Sequence, residues 1–77
     1  MIEAIDFNIG DLVEVSITTT QELGIVVKLG REYPDPGVSK YRSQFADIKW
    51  HDIKEPCRIY KCYDSWNLVE VVVRAKT

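Results

Sequence analysis

The side chains that could do chemistry in this 77-residue chain are one histidine, two cysteines and a scatter of acids. A nucleophilic enzyme needs a base beside its nucleophile, and the sequence places no serine or cysteine beside His51. His51, Cys57 and Cys62 have the right chemistry for zinc, but their spacing matches no Cys-x₂₋₄-Cys pairing. We therefore expect no catalysis, no metal site and no cofactor. Three further acids are explained equally well as a cluster or as solvated strand and turn positions: Asp47, Asp52 and Asp64.

The two cysteines lie five positions apart in what we predict to be one strand, which separates them by about 16 Å. A disulfide needs Cα atoms within roughly 7 Å, so we predict two reduced, partly buried thiols and a reducing compartment. The segment 1–6 has no basic region before an apolar block, as a secretory signal would. No apolar run approaches the roughly 20 residues of a membrane helix. We expect a cytoplasmic protein that is neither secreted nor membrane-bound.

The net charge of −2 conceals an asymmetry along the chain. Residues 1–27 carry five acids and no Lys or Arg, whereas residues 28–77 carry all ten basic residues against seven acids. Such a split can steer a partner or favour contact between copies of the chain. Alternatively, interleaved strands mix the charges over the surface.

Short runs of alternating apolar and polar residues recur along the chain, without helical periodicity, and predict an all-β fold. In the second strand the period of two turns Leu23, Ile25, Val27 and Leu29 inward. Gly24 indicates a bulge or a close backbone approach there. The predicted strands are 12–17, 23–29, 45–50, 58–62 and 68–73.

One short helical or 3₁₀ turn is predicted before the last strand, capped by Asp64. This turn would place Trp66 over one end of the sheet. Trp66 is then either a plug for the core or a partly exposed binding residue.

The segment 30–44 is predicted to be a long loop, and loops of this length are often functional. Pro36 and Gly37 suit the centre of a type II turn at its tip. The alternative is a hairpin arm whose tyrosines cover its own backbone. With the aromatic residues near the 3₁₀ turn, this loop supplies the candidate binding residues: Arg31, Tyr33, Tyr41, Arg42, Tyr63 and Trp66.

Tyrosine and tryptophan bury much area at low entropic cost, which favours a protein partner. Nucleic-acid binding is the alternative, because basic residues interleave with aromatic ones between positions 31 and 63. The acidic sequence pI, near 5.3, disfavours nucleic-acid binding, because domains that bind nucleic acid are usually basic.

Two segments resemble the opening of KOW-type and other SH3-like small barrels: Phe-Asn-Ile-Gly-Asp-Leu-Val-Glu-Val at 7–15 and Leu-Gly-Ile-Val-Val at 23–27. The segments 46–50 and 66–72 resemble the third strand and the closing turn and strand of those barrels. The resemblance covers about residues 7–73 and implies one domain over 1–77, a five-stranded SH3-like barrel with a short 3₁₀ turn before its last strand. The same layout occurs in small proteins of tailed bacteriophages and in some virion components.

The resemblance predicts the fold better than the function, since proteins with this barrel have many different functions. Nucleic-acid-binding KOW domains commonly carry Gly and basic residues after the first strand, whereas this chain has Thr-Thr-Thr-Gln-Glu at 18–22. We expect a non-catalytic protein–protein interaction module that binds another protein or copies of itself. The resemblance implies a phage virion component or small accessory protein, in the virion or the host cytoplasm. The alternative is a KOW-like nucleic-acid or ribonucleoprotein module.

Overall fold

The computed structural model describes residues 7–17, 20–35, 37 and 40–75. It contains one antiparallel sheet with the strand order β4-β3-β2-β1-β5, which confirms the all-β prediction. β4 and β5 are the two edges, and the sheet is not closed. No helix within the described part of the chain is long and apolar enough to cross a membrane. The elements are β1 Leu12–Ile17, β2 Thr20–Glu32, β3 Ser43–Trp50, β4 Cys57–Tyr60, a 3₁₀ turn Asp64–Leu68 and β5 Val69–Val73.

The inward face of β2 is the opposite of the predicted one for most of its length. Val26 is fully buried, whereas Leu23, Ile25 and Val27 are between 43% and 49% exposed. The pairing with β1 sets Gly24 opposite the buried Val13, and this register fixes the face. Apolar residues occupy both faces of β2, so alternation alone could not choose between them.

A bulge between Val26 and Lys28 then restores the predicted orientation of Leu29, which packs against the core. The close backbone approach expected at Gly24 is confirmed. A Cβ atom at Gly24 would lie 2.7 Å from both Ile48 Cγ2 and Trp50 Cε3.

The predicted loop 30–44 is shorter than expected, because β2 continues to Glu32 and β3 begins at Ser43. The two strands form a hairpin arm joined by residues 33–42, with Gly30 paired to Phe45. The predicted type II turn lies partly outside the described residues, since Pro36 is among those not described. Within it, the Gly37 N–H donates to Asp35 Oδ1 at 3.3 Å.

Two details around β4 also differ from the prediction. The strand is Cys57–Tyr60, so Cys62 lies in the following turn and is exposed, while Cys57 is half-buried; both thiols are free. Asp64 does not cap the 3₁₀ turn, because Tyr63 holds the N-cap position and no side chain caps it. Asp64 is instead the first residue of the turn itself.

The core lies on the inner face of the sheet, where Val13, Val26, Ala46 and Ile48 are fully buried. The 3₁₀ turn brings Trp66 onto this core with 5% of its surface exposed. The expectation that Trp66 is partly exposed is therefore wrong, and its alternative role as a plug fits the structure.

The turn before β1 is tied to the end of β5 by a buried acid. Asp11 is fully buried, and its carboxylate accepts hydrogen bonds from the backbone N–H of Asn8 at 2.8 Å and of Ala75 at 2.7 Å. The guanidinium of Arg74 lies 3.4 Å from Asp11 Oδ2. Gly10 supplies the left-handed φ of +95° that the turn requires. One carboxylate thus joins two segments that are distant in sequence.

Candidate binding site

A groove of about 340 Å³ opens where the hairpin arm leaves the core. It is called the aromatic groove below. The strand β2 supplies its aliphatic and cationic wall, β3 supplies the facing wall, and the 3₁₀ turn and the start of the described chain supply its floor. Its lining residues are Phe7, Leu29, Gly30, Arg31, Gln44, Phe45 and Trp66.

The floor of the aromatic groove is the ring pair of Phe7 and Trp66. Their centroids lie 4.7 Å apart with an interplanar angle of 60°, the edge-to-face arrangement that aromatic pairs prefer. Both residues are at least 95% buried. The groove therefore has an apolar floor but no exposed ring face on which a base could stack.

Phe45 is held in the groove wall from both sides. Gly30 lies across from it on β2, and a Cβ atom there would stand 2.7 Å from Phe45 Cζ. The guanidinium carbon of Arg58 lies 3.8 Å from the centroid of the ring. Glycine opposite an aromatic residue in paired strands lets the ring lie flat over the backbone, and the cation on its other side fixes the ring.

Arg58 also organises a network of polar groups on the outer face of β2, β3 and β4. Its Nε and Nη2 donate to the two carboxylate oxygens of Asp47 at 2.7 and 2.9 Å, and its Nη1 donates to Glu32 Oε1 at 2.6 Å. The hydroxyl of Tyr60 donates to the same Glu32 oxygen. Asp47, for which a solvated strand position was one of two explanations, is only 9% exposed, because the guanidinium of Arg58 covers it.

These hydrogen bonds shift the pKa values of all four groups in the network. The Tyr60 hydroxyl and then Arg58 lower the pKa of Glu32, and Arg58 lowers the pKa of Asp47. The bond to Glu32 raises the pKa of Tyr60, and the two carboxylates raise the pKa of Arg58. The network thus favours the charged acids and the charged guanidinium.

Arg58→Gln is expected to destabilise the protein at neutral pH, by a margin that disappears in acid. A carboxylate with a lowered folded-state pKa stabilises the fold above its unfolded pKa and ceases to do so as pH falls through the folded value. The margin should therefore shrink below the ordinary pKa values of 4.5 for Glu32 and 3.8 for Asp47. Urea unfolding of wild type and variant across this range measures it.

The matched control for Arg58→Gln is Lys54→Gln, at an exposed residue in the turn before β4. Its stability should follow that of the wild type at every pH. If the stability difference between wild type and Arg58→Gln stays constant into acid, the packing of the Arg58 alkyl stem on Phe45 causes it. The bonds of Arg58 to the carboxylates then contribute nothing to it.

A second groove of about 320 Å³ continues from the aromatic groove, with which it shares Arg31 and Gln44. It is called the basic groove below. The turn after β4 is fixed against the start of β3, since the Cys62 N–H donates to Ser43 Oγ at 3.2 Å. The Lys61 N–H donates to the Gln44 carbonyl oxygen at 2.9 Å. The lining residues are Arg31, Arg42, Ser43, Gln44, Lys61 and Cys62.

The structure brings together three of the six candidate binding residues, Arg31, Arg42 and Tyr33, and leaves Tyr41 exposed nearby in the same connection. Arg31 and Arg42 both line the basic groove, and the guanidinium carbon of Arg42 lies 6.0 Å from the ring centroid of Tyr33. Tyr33 is 45% exposed and Tyr41 is 82% exposed, both in the connection of the hairpin arm.

The remaining two candidates lie apart from these. Tyr63 is 48% exposed and lines neither groove; its ring packs edge-on against Tyr60 at 5.9 Å. Trp66 contributes to the groove only from beneath, as part of the floor. The lining residues that the sequence did not reveal are Phe7, Leu29, Gly30, Ser43, Gln44, Phe45, Lys61 and Cys62.

His51 lies exposed in the turn after β3, with its Nε2 3.8 Å from the carboxylate of Asp52. Within the described ranges, no three His, Cys, Asp or Glu residues are grouped so as to hold a metal ion. The fold and the two grooves define an all-β domain with a continuous apolar and cationic surface. No protein-family model matches the chain, and neither does any curated protein or solved structure.

Proposed function

We propose that this chain is a non-catalytic protein-binding domain built on an SH3-like barrel. The barrel is supported by the meandering strand order β4-β3-β2-β1-β5 and by the 3₁₀ turn that crosses from β4 to β5. Closure by that turn would protect the sheet edges, which a small open sheet leaves exposed.

The observation that carries the proposal is the continuity of the aromatic groove with the basic groove. The first offers an apolar recess of the size of a few side chains, and the second offers the cations Arg31, Arg42 and Lys61 beside it. An apolar anchor in a recess with charged groups at the rim is the usual anatomy of a protein-binding site. The partner that fits is a peptide segment in which an apolar residue is followed by acidic ones.

A bacteriophage setting, as a virion component or a small accessory protein, is part of the proposal. It is supported by the resemblance of residues 7–73 to the layout of small phage barrels. A virion or the host cytoplasm would then be the location of the chain. The presence of both thiols as free cysteines is consistent with a reducing cytoplasm.

A KOW-like nucleic-acid module is the second candidate, favoured by one specific observation. Arg42, which lines the basic groove, lies 6.0 Å from the exposed ring of Tyr33, and cations next to exposed aromatic rings suit a single strand. Salt separates the two functions, because nucleic-acid affinity falls steeply with ionic strength, by roughly 10³-fold or more for several phosphate contacts. The rings of Phe7 and Trp66 in the aromatic groove are buried and offer no face on which a base could stack. The aromatic groove therefore favours the protein partner.

Replacing Tyr33 and Tyr41 together with Ala is expected to leave the fold intact and to weaken partner binding by at least about tenfold. Both rings are exposed, so their removal leaves no cavity in the core. Thermal unfolding measures the first effect, and the amount of partner retained by the immobilised variant measures the second.

The matched control for this pair is Tyr63→Ala, which removes a half-exposed ring that packs on Tyr60, away from the connection of the hairpin arm. It should retain the partner as the wild type does. Unfolding of the Tyr33 and Tyr41 variant would instead show that the two rings cover the backbone of the arm.

A further inference from the structure

The last residues of β2 are held by a neighbouring strand on one side only. β1 pairs with β2 as far as Ile25, and the turn before β1 continues this contact to Val26 through two backbone hydrogen bonds. Beyond Val26, β2 pairs with β3 and with no other strand of the described chain. The final residues of β2, 30–32, lie opposite residues 43–45 of β3 and are called the β2 end below. The β2 end is therefore an edge of the sheet.

The hydrophobic core does not extend beneath the β2 end. Leu29, directly before it, is the last residue of β2 that packs against the core. Arg31 is exposed, and it lines both grooves together with its cross-strand partner Gln44. A segment with few buried apolar contacts opens at a lower free energy than the core does. Contacts other than core packing must therefore hold the β2 end on β3.

Side chains of β4 supply such a contact by reaching across β3. Glu32 is the last residue of β2, and its Oε1 accepts hydrogen bonds from Arg58 Nη1 at 2.6 Å and from the Tyr60 hydroxyl. Arg58 is itself fixed on β3, because its Nε and Nη2 bind the two carboxylate oxygens of Asp47. Its guanidinium carbon also lies 3.8 Å from the ring centroid of Phe45. The two bonds from β4 to Glu32 are called the bridge below.

The start of β3 has connections of its own that do not involve the bridge. The Lys61 N–H donates to the Gln44 carbonyl oxygen at 2.9 Å, and the Cys62 N–H donates to Ser43 Oγ at 3.2 Å. These bonds join β3 to the turn after β4. Loss of the bridge would therefore release the β2 end and leave the start of β3 in place.

We propose that the bridge clamps the β2 end onto β3, and that the β2 end opens by itself, with the rest of the sheet folded, when the bridge breaks. Arg31 moves with the β2 end, so opening removes a cation that both grooves share. Arg58, Tyr60 and Glu32 are then positioning residues for the grooves. The clamp does not depend on what the grooves bind, whereas its effect on a partner rests on the proposed function.

The packing of Phe45 on the β2 end is the competing explanation for what holds it. A Cβ atom at Gly30 would stand 2.7 Å from Phe45 Cζ, so the ring already covers the backbone there. Tyr60→Phe separates the two explanations. It removes the hydroxyl that donates to Glu32 and keeps the ring, whose centroid lies 6.3 Å from that of Phe45.

Two backbone amides of the β2 end reveal its opening. In an antiparallel sheet, alternate residues of a strand direct their N–H and C=O groups to the same neighbouring strand. The Gln44 carbonyl accepts from Lys61, so Gln44 faces β4 and the residues on either side of it face β2. Their partners Glu32 and Gly30 therefore direct their N–H groups to β3. Val26 is fully buried, and its N–H, which donates into the turn before β1 at 3.1 Å, is the reference for the core.

The test is native-state hydrogen exchange of the full chain, measured by NMR at increasing urea below the unfolding transition. We expect Gly30 and Glu32 to exchange faster than Val26 and with a weak dependence on urea, because local opening exposes little surface. Tyr60→Phe should speed their exchange by roughly three- to tenfold, the effect of one hydrogen bond to a partly exposed charged group. Tyr63→Phe is the matched control, which removes the hydroxyl of the ring packed on Tyr60 and should leave these rates unchanged.

A double variant shows whether the hydroxyl acts through the carboxylate. Tyr60→Phe should have no further effect in a Glu32→Ala background, and a full effect there would contradict the bridge. Exchange of Gly30 and Glu32 at the rate and with the urea dependence of Val26 would overturn the proposal, since the β2 end would then open only with the whole domain. An unchanged rate in Tyr60→Phe would also overturn it and assign the hold to Phe45. No partner is needed for these measurements, so failure of the clamp and failure of the proposed function are distinguishable.

Discussion

Asp11→Asn is expected to lower the free energy of unfolding by about 2–4 kcal/mol, because hydrogen bonds to a charged group contribute about 1.5–3 kcal/mol each. The Asp11 carboxylate is fully buried and receives the N–H groups of Asn8 and Ala75 on separate oxygens. An amide has one acceptor oxygen, so its NH₂ group would face one of these donors. The substitution preserves volume, and it removes one hydrogen-bond acceptor together with the charge that faces Arg74.

Chemical denaturation with Asp52→Asn as the matched control measures this effect. The Asp52 side chain is 77% exposed, so the control should change stability by less than about 0.5 kcal/mol. Equal stability of the two variants would contradict the view that Asp11 ties the first turn to the end of β5.

Trp66→Ala is expected to cost about 3–5 kcal/mol, the usual range for removing a buried aromatic side chain. Trp66 is 5% exposed and packs on Phe7 at 4.7 Å, so its loss opens a cavity beneath the aromatic groove. At 0.05–0.15 kcal/mol per residue, the whole domain has a stability of only about 4–12 kcal/mol. The variant should therefore lose a large share of this stability and unfold at a much lower temperature than the wild type.

Tyr63→Ala is the control for this prediction also, since Tyr63 is aromatic, three residues away and 48% exposed. It should cost less than about 1 kcal/mol. Circular dichroism on heating compares the two. A folded Trp66→Ala protein with normal stability would mean that Trp66 belongs to a binding surface and does not hold the core.

The approximate positions of the strands and of the final turn follow from local patterns, whereas the full length of β2 and the end of β4 do not. Alternation located β1 and β3, and Asp64–Leu68 forms the 3₁₀ turn near its predicted position. The inward face of β2 did not follow, because Leu23, Ile25 and Val27 are as apolar as the buried set. The register with the neighbouring strand β1, which alternation within β2 does not specify, decides between the two apolar faces.

The candidate site was predictable in part. Exposed tyrosines and arginines around the hairpin connection are visible in the sequence, and Arg31 and Arg42 do line one groove. The contribution of Gly30 and Phe45 depends on a cross-strand pair that no local pattern specifies. The same holds for Arg58, whose partners Glu32 and Asp47 lie 26 and 11 residues away in the chain.

The central claim is that the chain binds a protein partner. The most direct test is affinity purification of the tagged chain from its native lysate, with and without nuclease, with the partners identified by mass spectrometry. Protein binding through the two grooves predicts a stoichiometric partner that survives nuclease and is lost with the Tyr33 and Tyr41 variant. If that partner is a capsid or tail protein, the result would support the virion setting. Partners that vanish with nuclease would contradict the claim and establish the nucleic-acid module in its place.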